Sequence, residues 1–247
     1  MTVQEHLWVV ADYDPVSLFS LRMSNTTSKG GKTLVVPTPY AVKMALIDAC
    51  FRVEDGESAG STARSVFELL KRRRIRFLPP RHCVVQNTFV KVLDAERDGD
   101  LPFKQTIVYR EFAAFSGGPL SIAVDAGGMT EGGRALLRTL FWHINSLGKR
   151  GSFLQCLAVR EIYGELPVGY SATLQGGELV RPERYGMLQM LDDFGEDLCK
   201  AKDGFDRIST YGEGTITLGK HRVLATTALP YHVRSASKRH TWYERIE

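Results

Sequence analysis

Gly30-Gly31-Lys32-Thr33-Leu34-Val35-Val36-Pro37-Thr38-Pro39-Tyr40 runs without a break into the apolar-periodic stretch 41–51, and this junction decides how the chain is read. Proline cannot continue a strand ladder but suits the first position of a helix, and a threonine just before it can cap the helix. The spacing therefore predicts a helix beginning at Pro39, capped by Thr38. Val42, Ala45, Leu46, Ala49 and Cys50 fall along one face, the pattern of a helix packed on a sheet. A helix N-terminus carries unpartnered N–H groups and the positive end of the macrodipole, so this junction is also a candidate phosphate site. Lys29, Lys32 and Lys43 place mobile charge around it, and Arg22 lies just upstream.

Working outward, residues 7–13 read as a first strand, and 16–23 as its continuation after a bend at Pro15. The loop 24–33 is rich in small hydroxyls, glycine and lysine, so its backbone can approach a sugar-phosphate chain closely. It is not a nucleotide-hydrolysing P-loop. Positions 25–28 read Asn-Thr-Thr-Ser where the first glycine of that motif would stand.

Downstream, a second helix is expected over 61–74 and Pro79-Pro80 ends that region. Residues 83–93 and 105–115 read as strands joined through a turn at Asp98-Gly99, a hairpin. A short strand follows at 120–124. A strong helix starts at Thr130-Glu131, with Leu136, Leu137, Leu140, Phe141, Ile144 and Leu147 at helical spacing up to Gly148, and 153–159 reads as a strand. Strand, helix, inserted helix, two paired strands, helix, strand is the β-α-β-β-α-β order of a ferredoxin-like (RRM-like) α+β unit, with helices on one face of the sheet and the other face open. The expected organisation is a core over 1–160 with a C-terminal extension over 161–247 packed on it. Within the extension, 185–200 reads as a helix or loop and strands are expected near 216–218 and 222–227.

Composition sets bounds. The 247 residues carry 32 Lys and Arg against 28 Asp and Glu, a net +4 that permits an anionic partner without requiring one. The bases are clustered: Lys71-Arg72-Arg73-Arg74-Ile75-Arg76, Lys149-Arg150 in a glycine turn, and the tail from Lys220 to Arg245. That tail interleaves Arg234, Lys238 and Arg239 with Tyr231, Trp242 and Tyr243, a mixture suited to the phosphates and unpaired bases of single-stranded RNA. The four cysteines are isolated and no histidine stands at metal-ligand spacing from them, so neither a metal nor a cofactor is expected. With no signal-like or membrane-length apolar run, a cytoplasmic protein with no membrane partner is the expectation. Scattered histidines leave a metal-independent ribonuclease as an open enzymatic alternative.

The chain resembles the Cas-five family, the CRISPR-associated subunit of type I Cascade effectors within the RAMP superfamily. The resemblance rests on the opening strand and polar loop, on the Pro37-Thr38-Pro39-Tyr40 helix start, on the order of the elements, and on the Gly148-Lys149-Arg150-Gly151-Ser152 turn. It covers residues 1–160. The family typically reads Pro-Thr-x-Ser and then a helix with Gly and Leu; here Tyr40 and Met44 stand where Ser and Gly are common. The resemblance implies a non-catalytic subunit that caps the 5′ handle of the CRISPR guide RNA, docks other Cascade subunits, and meets target DNA only through the complex. It also implies that the hairpin projects as a thumb. One branch of the family instead cleaves precursor RNA as a metal-independent endoribonuclease. RNA contact is expected at Arg22, Lys29, Lys32, Thr33, Thr38, Tyr40, Lys43, Lys149, Arg150, Arg234, Lys238 and Arg239.

Overall fold

A strand buried on both faces needs cover on both, and the first strand of this protein is of that kind. In the computed structural model, which describes residues 6–24, 26, 30–95, 103–148, 151–174, 182–209 and 214–247, Trp8, Val9, Val10, Ala11 and Tyr13 are all buried. In chain order the elements are β1 (Leu7–Pro15), β2 (Gly30–Gly31), α1 (Pro39–Val53), α2 (Gly56–Leu70), β3 (Ile75–Leu78), β4 (His82–Ala95), β5 (Phe103–Ser116), β6 (Leu120–Asp125), α3 (Glu131–Trp142) and β7 (Leu154–Tyr163). There follow β8 (Ala172–Thr173), a 3-10 turn at Pro182–Arg184, β9 (Met187–Phe194), α4 (Glu196–Lys200), α5 (Gly204–Ile208), β10 (Arg222–Leu229), β11 (Tyr231–Ala236) and β12 (His240–Arg245). The protein is thus a mixed α+β fold dominated by sheets.

The central sheet has the order β3-β6-β1-β7, antiparallel throughout. Val9, Ala11 and Tyr13 face the main core with Val42, Leu46, Leu137, Leu140 and Phe141 from the helices. Each of the Val, Leu and Phe side chains among them, fully buried, contributes about 1.5–3 kcal/mol. Tyr13 buries its hydroxyl by donating to the Phe141 carbonyl at 2.6 Å. The opposite face is not open as the sequence suggested. Trp8 and Val10 pack there against Ala123 and Tyr170, with Leu166 and Ile162 alongside, so the chain leaving β7 folds back over it. The Arg74 and Arg76 guanidiniums lie over the Trp8 ring, at 5.8 and 5.5 Å.

The two paired strands expected in this sheet are corrected. β4 and β5 do pair over their full length, but in a second sheet of order β11-β12-β4-β5-β2. Their places in the sheet go to β3, an edge strand which the sequence hides inside a basic run, and to β6, which lies between β3 and β1. The cause is local. Pro79 and Pro80 end β3 and turn the chain out, and Gly117 and Gly118, at φ +79° and +121°, turn it back into β6. A Cβ on Gly117 would sit 2.9 Å from Cβ of Arg81, so glycine is required at that return. The segment 185–200 is corrected from helix or loop to strand β9, α4 being only its sequel. β9 joins β8 and β10 in a third sheet. Residues 216–218 form no strand beyond a bridge from Leu218 to Arg222.

Thr38 caps α1 as predicted, its hydroxyl accepting from the Ala41 N–H at 3.1 Å. The tip itself is corrected: Val36, Pro37 and Thr38 are buried, as β9 packs across α1. Lys43 is corrected with it, being 1% exposed, its ammonium 2.7 Å from the Asp193 carboxylate on β9 and 5.2 Å from the centre of the Phe194 ring. Neither Thr38 nor Lys43 is available to an RNA phosphate. Burial pushes the Asp193 carboxyl upward and the Lys43 charge opposes that. Asp193 keeps 30% of its side chain exposed. Breaking a buried pair strands the surviving charge, so Lys43→Met should cost on the order of 3 kcal/mol in urea unfolding, at the low end for such pairs because of that exposure. Adding Asp193→Leu should restore most of it.

Candidate nucleic-acid interface

In a strand alternate residues share a face, so the register of β4, β5 and β12 decides which side chains meet. Asn87 lies opposite Glu111, Phe89 opposite Tyr109, and Thr241 opposite Val85. These residues, with Tyr243, form one face of the second sheet. Above it run residues 21–23 and 30–35, and between the two lies a cleft of about 340 Å³ whose wall includes Met23, Lys32, Thr33 and Val35. Gln189 on β9 closes one end, its side-chain oxygen accepting from the Val35 N–H at 3.1 Å.

The wall is fixed to the floor through Glu111. One carboxylate oxygen accepts from the Thr33 N–H at 2.9 Å and the other from the Tyr109 hydroxyl at 2.8 Å. Burial, and then the hydrogen bond to Glu111, push Tyr109 up to about 12, so at neutral pH its hydroxyl keeps the proton it donates. The Thr33 hydroxyl is used internally, accepting from the Leu21 N–H at 3.0 Å and donating to the Leu34 carbonyl at 2.9 Å. Gly31 pairs with Arg110, and a Cβ there would fall 2.7 Å from Cδ of Arg110 and 2.9 Å from the Tyr109 carbonyl oxygen. Its smallness therefore serves this contact within the protein.

Charge stands at the rim. Lys32 and Arg22 are exposed on the wall, where Arg22 pairs with Thr33 as an isolated bridge. On the other side the β11–β12 turn is held to Asn87, whose backbone N–H donates to the Arg239 carbonyl at 2.7 Å and whose side chain donates to the Lys238 carbonyl at 3.2 Å. Lys238 and Arg239 are both exposed. Beyond the cleft the same sheet face presents Phe89, 73% exposed and edge-on to Tyr109 at 5.7 Å, then Ile107 and Leu93.

Of the residues expected to contact RNA, Lys32 and Thr33 line the cleft, Arg22 is bridged to Thr33 beside it, and the backbone of Lys238 and Arg239 is held next to it by Asn87. Tyr40 lies elsewhere, half-buried between Phe194 and the Arg222 guanidinium, which is 4.4 Å from its ring centre; burial raises its pKa. Arg234 stacks on Trp242 at 4.6 Å and pairs with Glu244 at 2.6 Å. Trp242 lies opposite Val84, which places this pair on the reverse of the sheet. Lys29, Lys149 and Arg150 lie outside the described residues. The basic run at 71–76 is largely matched by acids: Lys71 with Glu68, Arg72 with Glu196, Arg74 with Asp125. Sequence reading missed Asn87, Tyr109, Glu111, Gln189 and Thr241. The signal for three of them was available, since the β4–β5 register is symmetric about Gly99: Asn87 and Glu111, and likewise Phe89 and Tyr109, are equidistant from it.

No family model matches the chain. Over 110 residues it is 26% identical to a CRISPR-associated protein Cas5 from Archaeoglobus fulgidus, a match covering 44% of this chain and 47% of that protein. The chain therefore spans about half the length of the curated relative it matches. A crystal structure of a CRISPR protein from Archaeoglobus fulgidus aligns over 98% of this chain and 92% of its own, at 14% identity and a TM-score of 0.48. A cryo-EM structure of the Type III-B Cmr-beta bound to cognate target RNA aligns over 64% and 61%, at 11% identity and a TM-score of 0.47. The chain resembles the Cas-five family, as its sequence indicated.

The floor-to-wall bonds make a test of their own. Glu111→Ala leaves the buried Thr33 N–H without a partner and should cost about 2 kcal/mol, a fall of several degrees in melting temperature. Tyr109→Phe should cost about half as much. The two losses should not add, because both act on one carboxylate; additive losses in thermal melts would mean that Tyr109 does not brace the carboxylate of Glu111.

Proposed function

We propose that this protein is a non-catalytic RNA-binding subunit of a type I CRISPR Cascade effector, capping the 5′ handle of the guide RNA and docking neighbouring subunits. The carrying observation is the cleft on the second sheet, with a rim bearing Arg22, Lys32, Lys238 and Arg239 and a floor of tyrosines and amides. Cations on a rim neutralise phosphates, and aromatic faces on a sheet receive unpaired bases. The four-stranded sheet with its α1–α2 and α3 crossovers is our ferredoxin-like core, and the β4–β5 hairpin is the thumb that leaves it. Exposed Phe89, Leu93 and Ile107 on that thumb suit contact with RNA bases or an adjacent subunit. Target DNA would be met through the assembled complex, in the cytoplasm.

Filter binding of a repeat-derived RNA across a salt series tests this reading. Replacing Lys32, Lys238 and Arg239 together with Ala should weaken binding and reduce the slope of log K against log salt by about 0.7 for each phosphate that is no longer neutralised. An unchanged slope would remove the rim from the interface. Incubation of the same RNA in EDTA should leave it intact; a discrete cut would favour the metal-independent endoribonuclease.

A further inference from the structure

Resting on that reading, we infer that the cleft selects one base, a guanine, through the carboxylate of Glu111. An ionised carboxylate only accepts hydrogen bonds, with about four lone-pair sites on its two oxygens. Thr33 and Tyr109 occupy one site on each oxygen, which fixes the group in place and leaves each oxygen able to accept once more. A carboxylate held in this way calls for two neighbouring N–H donors.

Guanine alone among the four RNA bases presents two adjacent donors on its Watson–Crick edge, N1–H and the N2 amino group. Adenine and cytosine each set a ring-nitrogen lone pair beside their amino group, and uracil has one N–H between two carbonyls. Each of those three would turn a lone pair toward the carboxylate or leave one of its oxygens unpaired, and sites built for polar pairing reject such ligands strongly. The rest of the cleft fits the same ligand. Gln189 uses its side-chain oxygen on Val35, so its NH2 is the donor it offers to a guanine acceptor. Tyr109 and Tyr243 line the cleft with ring surface, and its volume of about 340 Å³ lies within the range of small-ligand sites.

The experiment is fluorescence anisotropy of the full chain with uridine decamers carrying one central guanosine, inosine, adenosine or cytidine. Guanosine should bind roughly 5- to 100-fold tighter than adenosine or cytidine, the discrimination a bidentate pair supplies. Inosine, which keeps N1–H and lacks the amino group, should fall between. Glu111→Gln, which removes one acceptor and the charge, should abolish the ranking among the decamers. Equal affinities for all four in the wild type, with a normal salt slope, would overturn guanine selection and leave the RNA-binding reading standing. Failure to bind any of the decamers would overturn both. Should the variant not fold, the wild-type guanosine-to-inosine ratio decides alone.

Discussion

The ion pair between Lys43 and Asp193 fixes the register of two layers that apolar packing around Phe194 also joins. It joins α1, which packs on the central sheet, to β9, which comes from the C-terminal third of the chain. Gln189, Leu191 and Asp193 alternate along β9 and so share a face. Leu191 is buried between the two polar groups. Asp193 grips the helix, and Gln189, two alternations away, grips Val35 at the end of the cleft wall. The wall in turn is tied to the hairpin by Thr33 and Glu111. A buried pair adds little net stability over an apolar contact of the same shape, since desolvation offsets the attraction, but it tolerates few alternative registers. The position of β9 on α1, and with it the end of the cleft, follows from where one ammonium finds its partner.

The second sheet is closed by the chain terminus in a comparable way. Tandem prolines end β3 and expose two carbonyls with no N–H groups to accompany them. Both are satisfied from the tail: the Arg245 guanidinium donates to the Pro79 carbonyl and the Tyr231 hydroxyl to that of Pro80, each at 2.7 Å. Arg245 also donates its backbone N–H to the Arg81 carbonyl at 2.8 Å. These bonds set β11 and β12 beside β4 and carry the turn with Lys238 and Arg239 to the cleft.

Much of the fold was legible because its signals are local. The Pro39 helix, its Thr38 cap, α3 and the β4–β5 hairpin are all written in spacing and capping residues. α3 stops at Trp142 where apolar spacing continues to Leu147, because Ile144 and Leu147 are buried from a loop and burial alone does not make helix. β3 was illegible for a related reason: four residues, Ile75-Arg76-Phe77-Leu78, with Ile75 and Phe77 inward, are too few to stand out from the basic run before them. The assignment of the hairpin to the central sheet failed because strand pairing beyond a hairpin is a long-range fact. Pro79-Pro80 and Gly117-Gly118 marked where the chain leaves and returns, without saying what fills the gap. The site suffered the same division. Lys32 and Lys43 are the same residue type eleven positions apart, one exposed and one sealed. What separates them is β9, which sequence neighbours could not reveal.

On the proposed RNA-binding reading, the charge arrangement of the cleft would constrain how a strand could lie in it. Opposite charges a few ångströms apart attract, like charges repel by the same rule, and both effects grow as water is excluded. Lys32 on one side and the Lys238–Arg239 turn on the other would draw phosphates to the margins. Glu111 on the floor, half-buried and held from two sides, repels them from the interior. A strand entering backbone-first would place a phosphate against that carboxylate, whereas one entering base-first offers it N–H donors and leaves the phosphates outside. In the proposed complex an acidic residue among flanking cations would thus set orientation: it would weaken indiscriminate binding of polyanions and favour an unpaired base turned toward the sheet.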